Sequence, residues 1–139
     1  MSENREPQTY GLIVDDDPDA LNILERIMVH VGLPAQTATD GLEAVAMLKQ
    51  AYENPPAVIV LDLMMPGMDG FSVLAWLRSN PVTRRVPVIV VTAVDHHRLN
   101  MLKLPGVAEV VRKGEFTVSS LSGLIRETVR TDLPRTTIA

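Results

Sequence analysis

The sequence predicts an α/β fold, a parallel sheet covered on both faces by helices. Three observations carry that expectation. Five short runs are rich in valine and isoleucine and apolar throughout, as strands buried on both faces are. Stretches with apolar residues at helical spacing separate them. The two patterns alternate along the chain, and alternation with right-handed crossovers places all strands parallel and the helices on both sides.

The first strand is expected over 10–14. After it Ala20, Ile23, Leu24, Ile27, Met28 and Val31 recur at helical spacing, Asp17 is placed to cap that helix, and Pro18 suits its first position. Gly32 and Pro34 stop it. A second strand follows at 35–38. Asp40 and Glu43, three residues apart, resemble a capping box, with Leu42, Val45, Ala46 and Ala51 as the apolar face of the second helix. Asn54, Pro55 and Pro56 close it. The third strand is expected at 58–61, a helix at 71–79, the fourth strand at 86–91, a helix at 95–104, the fifth strand at 107–111 and a last helix at 118–130. Residues 1–9 and 131–139 are expected to be flexible ends, the second equally the start of a linker, around one domain at 10–130.

Composition narrows the function. A chain of 139 residues is long enough for one domain with a real core and short for two. With 46% hydrophobic and 22% charged residues it has the balance of a globular protein. The net charge is -4 and the nearest approach to a basic cluster is Arg84-Arg85, so direct nucleic-acid binding is not expected. The absence of cysteine excludes thiol catalysis and cysteine-ligated metal and fits a reducing compartment. No apolar run approaches the roughly 18 residues of a membrane span, and the polar start MSENREPQ does not resemble a signal peptide. The expectation is a cytoplasmic protein with no membrane partner.

In an open parallel sheet, ligands bind beyond the carboxyl ends of the strands. There the sequence places Asp15, Asp16 and Asp17 after the first strand, Asp62 after the third, Thr92 after the fourth, and Arg112 and Lys113 after the fifth. Taken singly, each has a plain structural reading. Asp17 reads as a helix cap, Asp62 as a turn former, Thr92 as a strand end, Lys113 as a solvated charge. Asp15 and Asp16 are harder to dismiss, because adjacent carboxylates repel unless a cation or donor compensates. Together, carboxylates, a hydroxyl and an ammonium converge on one sheet edge. Oxygen donors without histidine or cysteine suit a hard cation such as Mg²⁺, and Mg²⁺ commonly shares carboxylates with phosphate oxygens. A carboxylate can attack phosphorus to give an aspartyl phosphate. The lone Asp62 suits that nucleophile, in a loop whose Pro66, Gly67 and Gly70 make a tight connection.

These residues resemble the receiver domain of two-component response regulators. LIVDDDP is similar to its first-strand acidic motif, VLDLMMPGMDG to its phosphorylation loop, VIVVTA to its fourth strand and RKGEF to its terminal lysine motif, and the resemblance spans about residues 10–130. It implies a flavodoxin-like, doubly wound five-stranded parallel sheet in the order 2-1-3-4-5 with five helices. Carried over by position, it makes Asp62 the phosphoacceptor, Thr92 the switch hydroxyl and Lys113 the phosphate-binding lysine. Mg²⁺ or Mn²⁺ would be held by Asp16, Asp62, the backbone carbonyl of Met64, and Asp15 directly or through water. The implied partners are a sensor histidine kinase or histidine phosphotransfer protein as donor and an unidentified protein as output, and the implied enzymology is a phosphoacceptor that catalyses its own phosphoryl transfer and dephosphorylation. A stand-alone regulator, similar to chemotaxis regulators, is the simplest organisation.

The chain also departs from the family. Gly114 follows the lysine where the family usually has proline, and Val110 stands where many members carry a switch aromatic on the fifth strand. In the family, the positions two after the phosphorylated aspartate and two after the switch threonine influence hydrolysis; here they are Met64 and Val94. His96 and His97 are expected to be solvent-exposed, and Met64, Met65 and Met68 to pack within their loop. Two other readings stand beside the leading one. An aspartate-nucleophile phosphatase of the haloacid-dehalogenase type would place a second aspartate two residues on, where Met64 stands. A pseudo-receiver scaffold would lack an intact acidic pocket.

Overall fold

The computed structural model describes residues 8–101, 104 and 106–132. β1 (Gly11–Val14), β3 (Val58–Leu61) and β4 (Val88–Thr92) are buried at every position, which is why their sequences are apolar without alternation. β2 (Ala35–Ala38) and β5 (Val107–Arg112) are the edges of a fully parallel sheet ordered β2-β1-β3-β4-β5. This is the expected order.

Side chains alternate between the two faces of the sheet and build two cores. Leu12, Val14, Ile59, Leu61, Val88 and Val90 face α2 (Gly41–Gln50) and α3 (Gly70–Ser79), which contribute Ala44, Leu48, Val73, Leu74 and Leu77. Ile13, Val58, Val60, Ile89 and Val91 face α1 (Pro18–Val31) and α5 (Val118–Asp132), which contribute Leu24, Ile27, Met28, Leu121 and Ile125. Each fully buried aliphatic side chain is worth about 1.5–3 kcal/mol relative to exposure. Leu99 of the short α4 (His96–Met101) packs against the first core. Among the described residues no helix is long and apolar enough to cross a membrane.

Helix starts follow the caps. Asp17 accepts from the Asp19 amide, Asp40 from Glu43 and Asp69 from Ser72. Glu43 reaches back to the Thr39 amide, at 2.6 Å, one residue before the expected capping-box partner. α1 ends at Gly32, whose φ is 93° and whose amide bonds the carbonyls of Met28 and Val29.

Several expectations are corrected. The buried face of α2 is Gly41, Ala44, Val45 and Leu48, while Leu42 is 69% exposed and Ala46 is exposed. The helix is shorter than the apolar pattern suggested, and its first turn packs through glycine rather than leucine. β4 begins at Val88, two residues late, because Val86 closes a turn onto the Thr83 carbonyl and Pro87 has no amide to give a ladder. The sheet is nevertheless continuous there, since Ile59 donates to the Pro87 carbonyl. α4 is described over His96–Met101, where 95–104 was expected: Asp95 precedes it and accepts from the Arg98 amide, Leu104 is not helical, and residues 102, 103 and 105 lie outside the described residues. Of the ends expected to be flexible, residues 1–7 and 133–139 also lie outside them, and residues 131–132 finish α5.

Candidate functional site

Parallel pairing sets the site, because strands in register end together. Val14 lies opposite Leu61, so Asp15 and Asp62 leave neighbouring strands at one level. The Asp62 amide donates to the Val14 carbonyl at 3.0 Å, and the Asp15 amide to the Ala38 carbonyl at 3.1 Å. Both carboxylates turn inward: Asp15 is 1% exposed and Asp62 4%. Thr92 ends β4 opposite Arg112, and the Lys113 amide donates to the Thr92 carbonyl at 2.7 Å, which fixes the start of the lysine side chain. From there the Lys113 ammonium reaches both carboxylates, 2.8 Å from Asp15 Oδ2 and 3.2 Å from Asp62 Oδ2. Arg112, the competing basic residue, goes elsewhere, its Nη1 2.7 Å from Glu115 Oε2.

The remaining lone pairs are partly engaged. Asp15 Oδ1 accepts from the Asp17 amide at 2.9 Å, and Asp62 Oδ1 from the Met64 amide at 3.3 Å. Asp15 Oδ2 touches the ammonium as an ion pair but accepts no hydrogen bond in good geometry. Asp16 is exposed, yet carboxylate oxygens of Asp15, Asp16 and Asp62 lie within 4.8 Å of one another. Thr92 is fully buried, and its hydroxyl oxygen accepts from the Val94 amide at 3.4 Å. Asp17 stays a cap.

Burial pushes the Asp15 carboxyl above its ordinary range, the neighbouring Asp62 charge adds to this, and Lys113 and the Asp17 amide oppose it. For Lys113 burial works against the charge, but contact with Asp15 and Asp62 outweighs it and holds the ammonium above its ordinary range. The lysine is therefore charged at neutral pH.

Sequence reasoning missed a second cluster beside the site. His96 Nε2 lies 2.8 Å from Glu115 Oε1, so Glu115 joins the start of α4 to Arg112 at the end of β5. These contacts, His96 first and then Arg112, hold the Glu115 carboxyl below its ordinary range. Only the Arg112–Glu115 spacing was a signal. His96 and His97 are exposed, as expected. Met65 is buried and Met68 packs against the first core, whereas Met64 is 52% exposed and does not pack within its loop. Gly114 has φ 83°, which proline cannot adopt with its φ fixed near about -65°. The glycine after Lys113 thus belongs to a different loop path, and that path still delivers the ammonium.

The donor set fits a hard divalent cation. It consists of carboxylate oxygens, three of them within reach of one ion and two of those buried.

Known proteins share both the sequence pattern and the fold. The family model described as "Response regulator receiver domain" matches residues 12–117. Response regulator PleD of Caulobacter vibrioides is 43% identical over 84 residues, 60% of this chain and 18% of that protein. Transcriptional regulatory protein PrrA of Mycobacterium tuberculosis is 48% identical over 82 residues, 59% of this chain and 33% of that protein. The match thus spans a third or less of these curated relatives' length. Among solved structures, the signal receiver domain of a signal transduction histidine kinase from Syntrophus aciditrophicus superimposes with a TM-score of 0.79 at 28% identity, covering 92% of this chain and 94% of that one. With its family match over residues 12–117, most of the chain, the chain belongs to the response regulator receiver domains.

Proposed function

We propose that Asp62 accepts a phosphoryl group from the phosphohistidine of a sensor kinase or histidine phosphotransfer protein, and that the chain supplies the groups for this transfer and for the later hydrolysis. The observation that carries the reading is the Lys113 ammonium in contact with two buried carboxylates of different strands. In the transfer a carboxylate oxygen of Asp62 attacks phosphorus, a P–O bond forms as the P–N bond breaks, and the donor imidazole leaves with the electron pair. Lys113 is positioned to hold a phosphoryl oxygen, and the buried Thr92 hydroxyl to turn from the Val94 amide toward another. That turn would draw the loop after β4 inward, which is the conformational signal. Asp15, Asp16, Asp62 and the Met64 carbonyl would hold Mg²⁺ or Mn²⁺, which when bound offsets the charge on phosphoryl and carboxylate oxygens.

The output is proposed to be a protein contact. PrrA is by name a transcriptional regulatory protein, and this chain matches 33% of its length. A phosphatase reading lacks its second carboxylate, since Met64 occupies that position and its amide instead donates to Asp62.

Incubation with acetyl phosphate and Mg²⁺, followed by intact-protein mass spectrometry, tests the assignment. The parent is expected to gain one phosphoryl group and folded Asp62→Asn none, because the amide keeps the shape and removes the nucleophile. Equal modification of both would overturn it.

A further inference from the structure

Two helices begin with the same dipeptide, Asp40-Gly41 at α2 and Asp69-Gly70 at α3. In each the aspartate caps the helix and the glycine is its first, buried residue. Neither glycine has a positive φ, so backbone conformation does not demand glycine at either place. Space does. A Cβ on Gly70 would run into the Asp62 carbonyl oxygen and lie 2.7 Å from Leu63 Cα and 2.9 Å from the Asp62 carbonyl carbon. A Cβ on Gly41 would run into the Met68 carbonyl oxygen and lie 2.9 Å from Val73 Cγ2.

Both contacts fall on the segment between Asp62 and Gly70. The Gly70 amide closes that segment by donating to the Leu63 carbonyl at 3.0 Å. On the other side the Asp62 amide is tied to β1 through the Val14 carbonyl. The backbone of Asp62 is thus held between β1 and the first turn of α3, and the far limb of its loop rests on the first turn of α2. Two of the Gly70 contacts are backbone atoms of Asp62 itself, with no flexible side chain in between that could yield.

We propose that Gly70 and Gly41 are positioning residues for the acidic site: the close approach they permit sets where the Asp62 carboxylate stands relative to Asp15, Asp16 and Lys113. Gly70 acts directly on Asp62, and Gly41 acts through Met68. This rests on the reading of the acidic cluster as a divalent-cation site.

The test titrates Mn²⁺ into metal-free protein, reading the free ion by electron paramagnetic resonance, for the parent, Gly70→Ala, Gly41→Ala and the control Leu77→Ala. Leu77 is fully buried in the last turn of α3, at the opposite end of that helix from Gly70, so its truncation reports general destabilisation of the core. Circular dichroism fixes a temperature at which the variants are folded. Gly70→Ala is expected to weaken Mn²⁺ binding roughly tenfold or more, as loss of a ligand's supporting contact does, and Gly41→Ala by a smaller factor. Leu77→Ala is expected to bind like the parent although it melts lower. Should Gly70→Ala not fold, Gly41→Ala decides on the same criterion. Parent-like binding by the folded glycine variants, or equal weakening in Leu77→Ala, overturns the proposal while leaving the metal site standing. No binding by the parent overturns the metal site and the proposal together.

Discussion

At the scale of single residues, the decisive distinction is between two adjacent cations. Arg112 and Lys113 are one residue apart, so they leave the strand on opposite sides: the arginine meets Glu115 and the lysine meets Asp15 and Asp62. Lys113→Ala is therefore expected to reduce phosphorylation by acetyl phosphate or the conformational response by roughly a hundredfold, the scale of a lost charge-stabilising donor, with Arg112→Ala close to the parent. The reverse order would move the phosphate contact to Arg112. Lifetime is a second residue-scale question. Hydrolysis of an aspartyl phosphate needs a water in line with the breaking bond, and a polar side chain can hold it and accept its proton. Met64 is half-exposed and Val94 is buried, and neither can do this. The phosphorylated parent is expected to decay more slowly than a folded Met64→Asn, Val94→Glu double mutant in excess Mg²⁺, by roughly tenfold, below what a well-positioned base contributes. Equal decay of the two would show that the apolar pair does not set the lifetime. Asp15, Asp62, Thr92 and Lys113 could be found in the sequence because strand ends are marked by the end of an apolar run. Gly70 was legible only as part of a tight loop and Gly41 not at all, because what requires them is the nearness of a carbonyl, and sequence spacing does not encode that.

At the scale of elements, the central strands were legible and their surroundings less so. β1 and β3 announce themselves because burial on both faces leaves no choice but apolar residues. α2 was misread because Leu42 looks like core and is exposed, whereas the small Gly41 and Ala44 allow the helix to approach. Tyr10, assigned from sequence to the first strand, instead precedes β1 and ties it to the connection after α2: its hydroxyl donates to the Asn54 carbonyl at 2.9 Å, and its carbonyl accepts from the Ala57 amide at 2.8 Å. Tyr10→Phe is expected to cost about 1 kcal/mol at neutral pH for the lost hydroxyl bond. Alkaline pH should narrow that difference. Burial raises the Tyr10 pKa from 10.0, so the folded state holds the phenolic proton more tightly than the unfolded state does. A raised value gives a contribution that is complete below the ordinary pKa and is lost as pH rises through the folded one. Chemical denaturation across the range from neutral to about pH 11 should therefore show the parent losing more stability than Tyr10→Phe. Parallel curves would show that the phenol is not desolvated.

At the scale of the whole molecule, the sheet gathers opposing tendencies at its carboxyl edge. The chain carries a net charge of -4, and folding draws Asp15, Asp16 and Asp62 together with Lys113 in direct contact with two of them. Burial acts against the ionised Asp15 carboxylate, so folding with that charge in place is costly, and the fold accepts a local penalty for a charged site. A cation that binds the folded but not the unfolded chain should recover part of it. Mg²⁺ is expected to stabilise the folded state in a concentration-dependent way, by about 2.7 kcal/mol once free Mg²⁺ is a hundredfold above its Kd, which raises the melting temperature by roughly 8–14 °C. Asp15→Asn separates the two effects. The neutral isostere removes the desolvated charge, so this variant should melt a few degrees higher than the parent without metal. Having lost a ligand charge, it should also gain less from Mg²⁺. Differential scanning calorimetry of both proteins with and without Mg²⁺, at fixed ionic strength so that general screening is excluded, gives the four melting temperatures. A lower metal-free melting temperature for Asp15→Asn would mean that its ion pair with Lys113 outweighs burial. An equal Mg²⁺ increment in both proteins would place the cation away from Asp15.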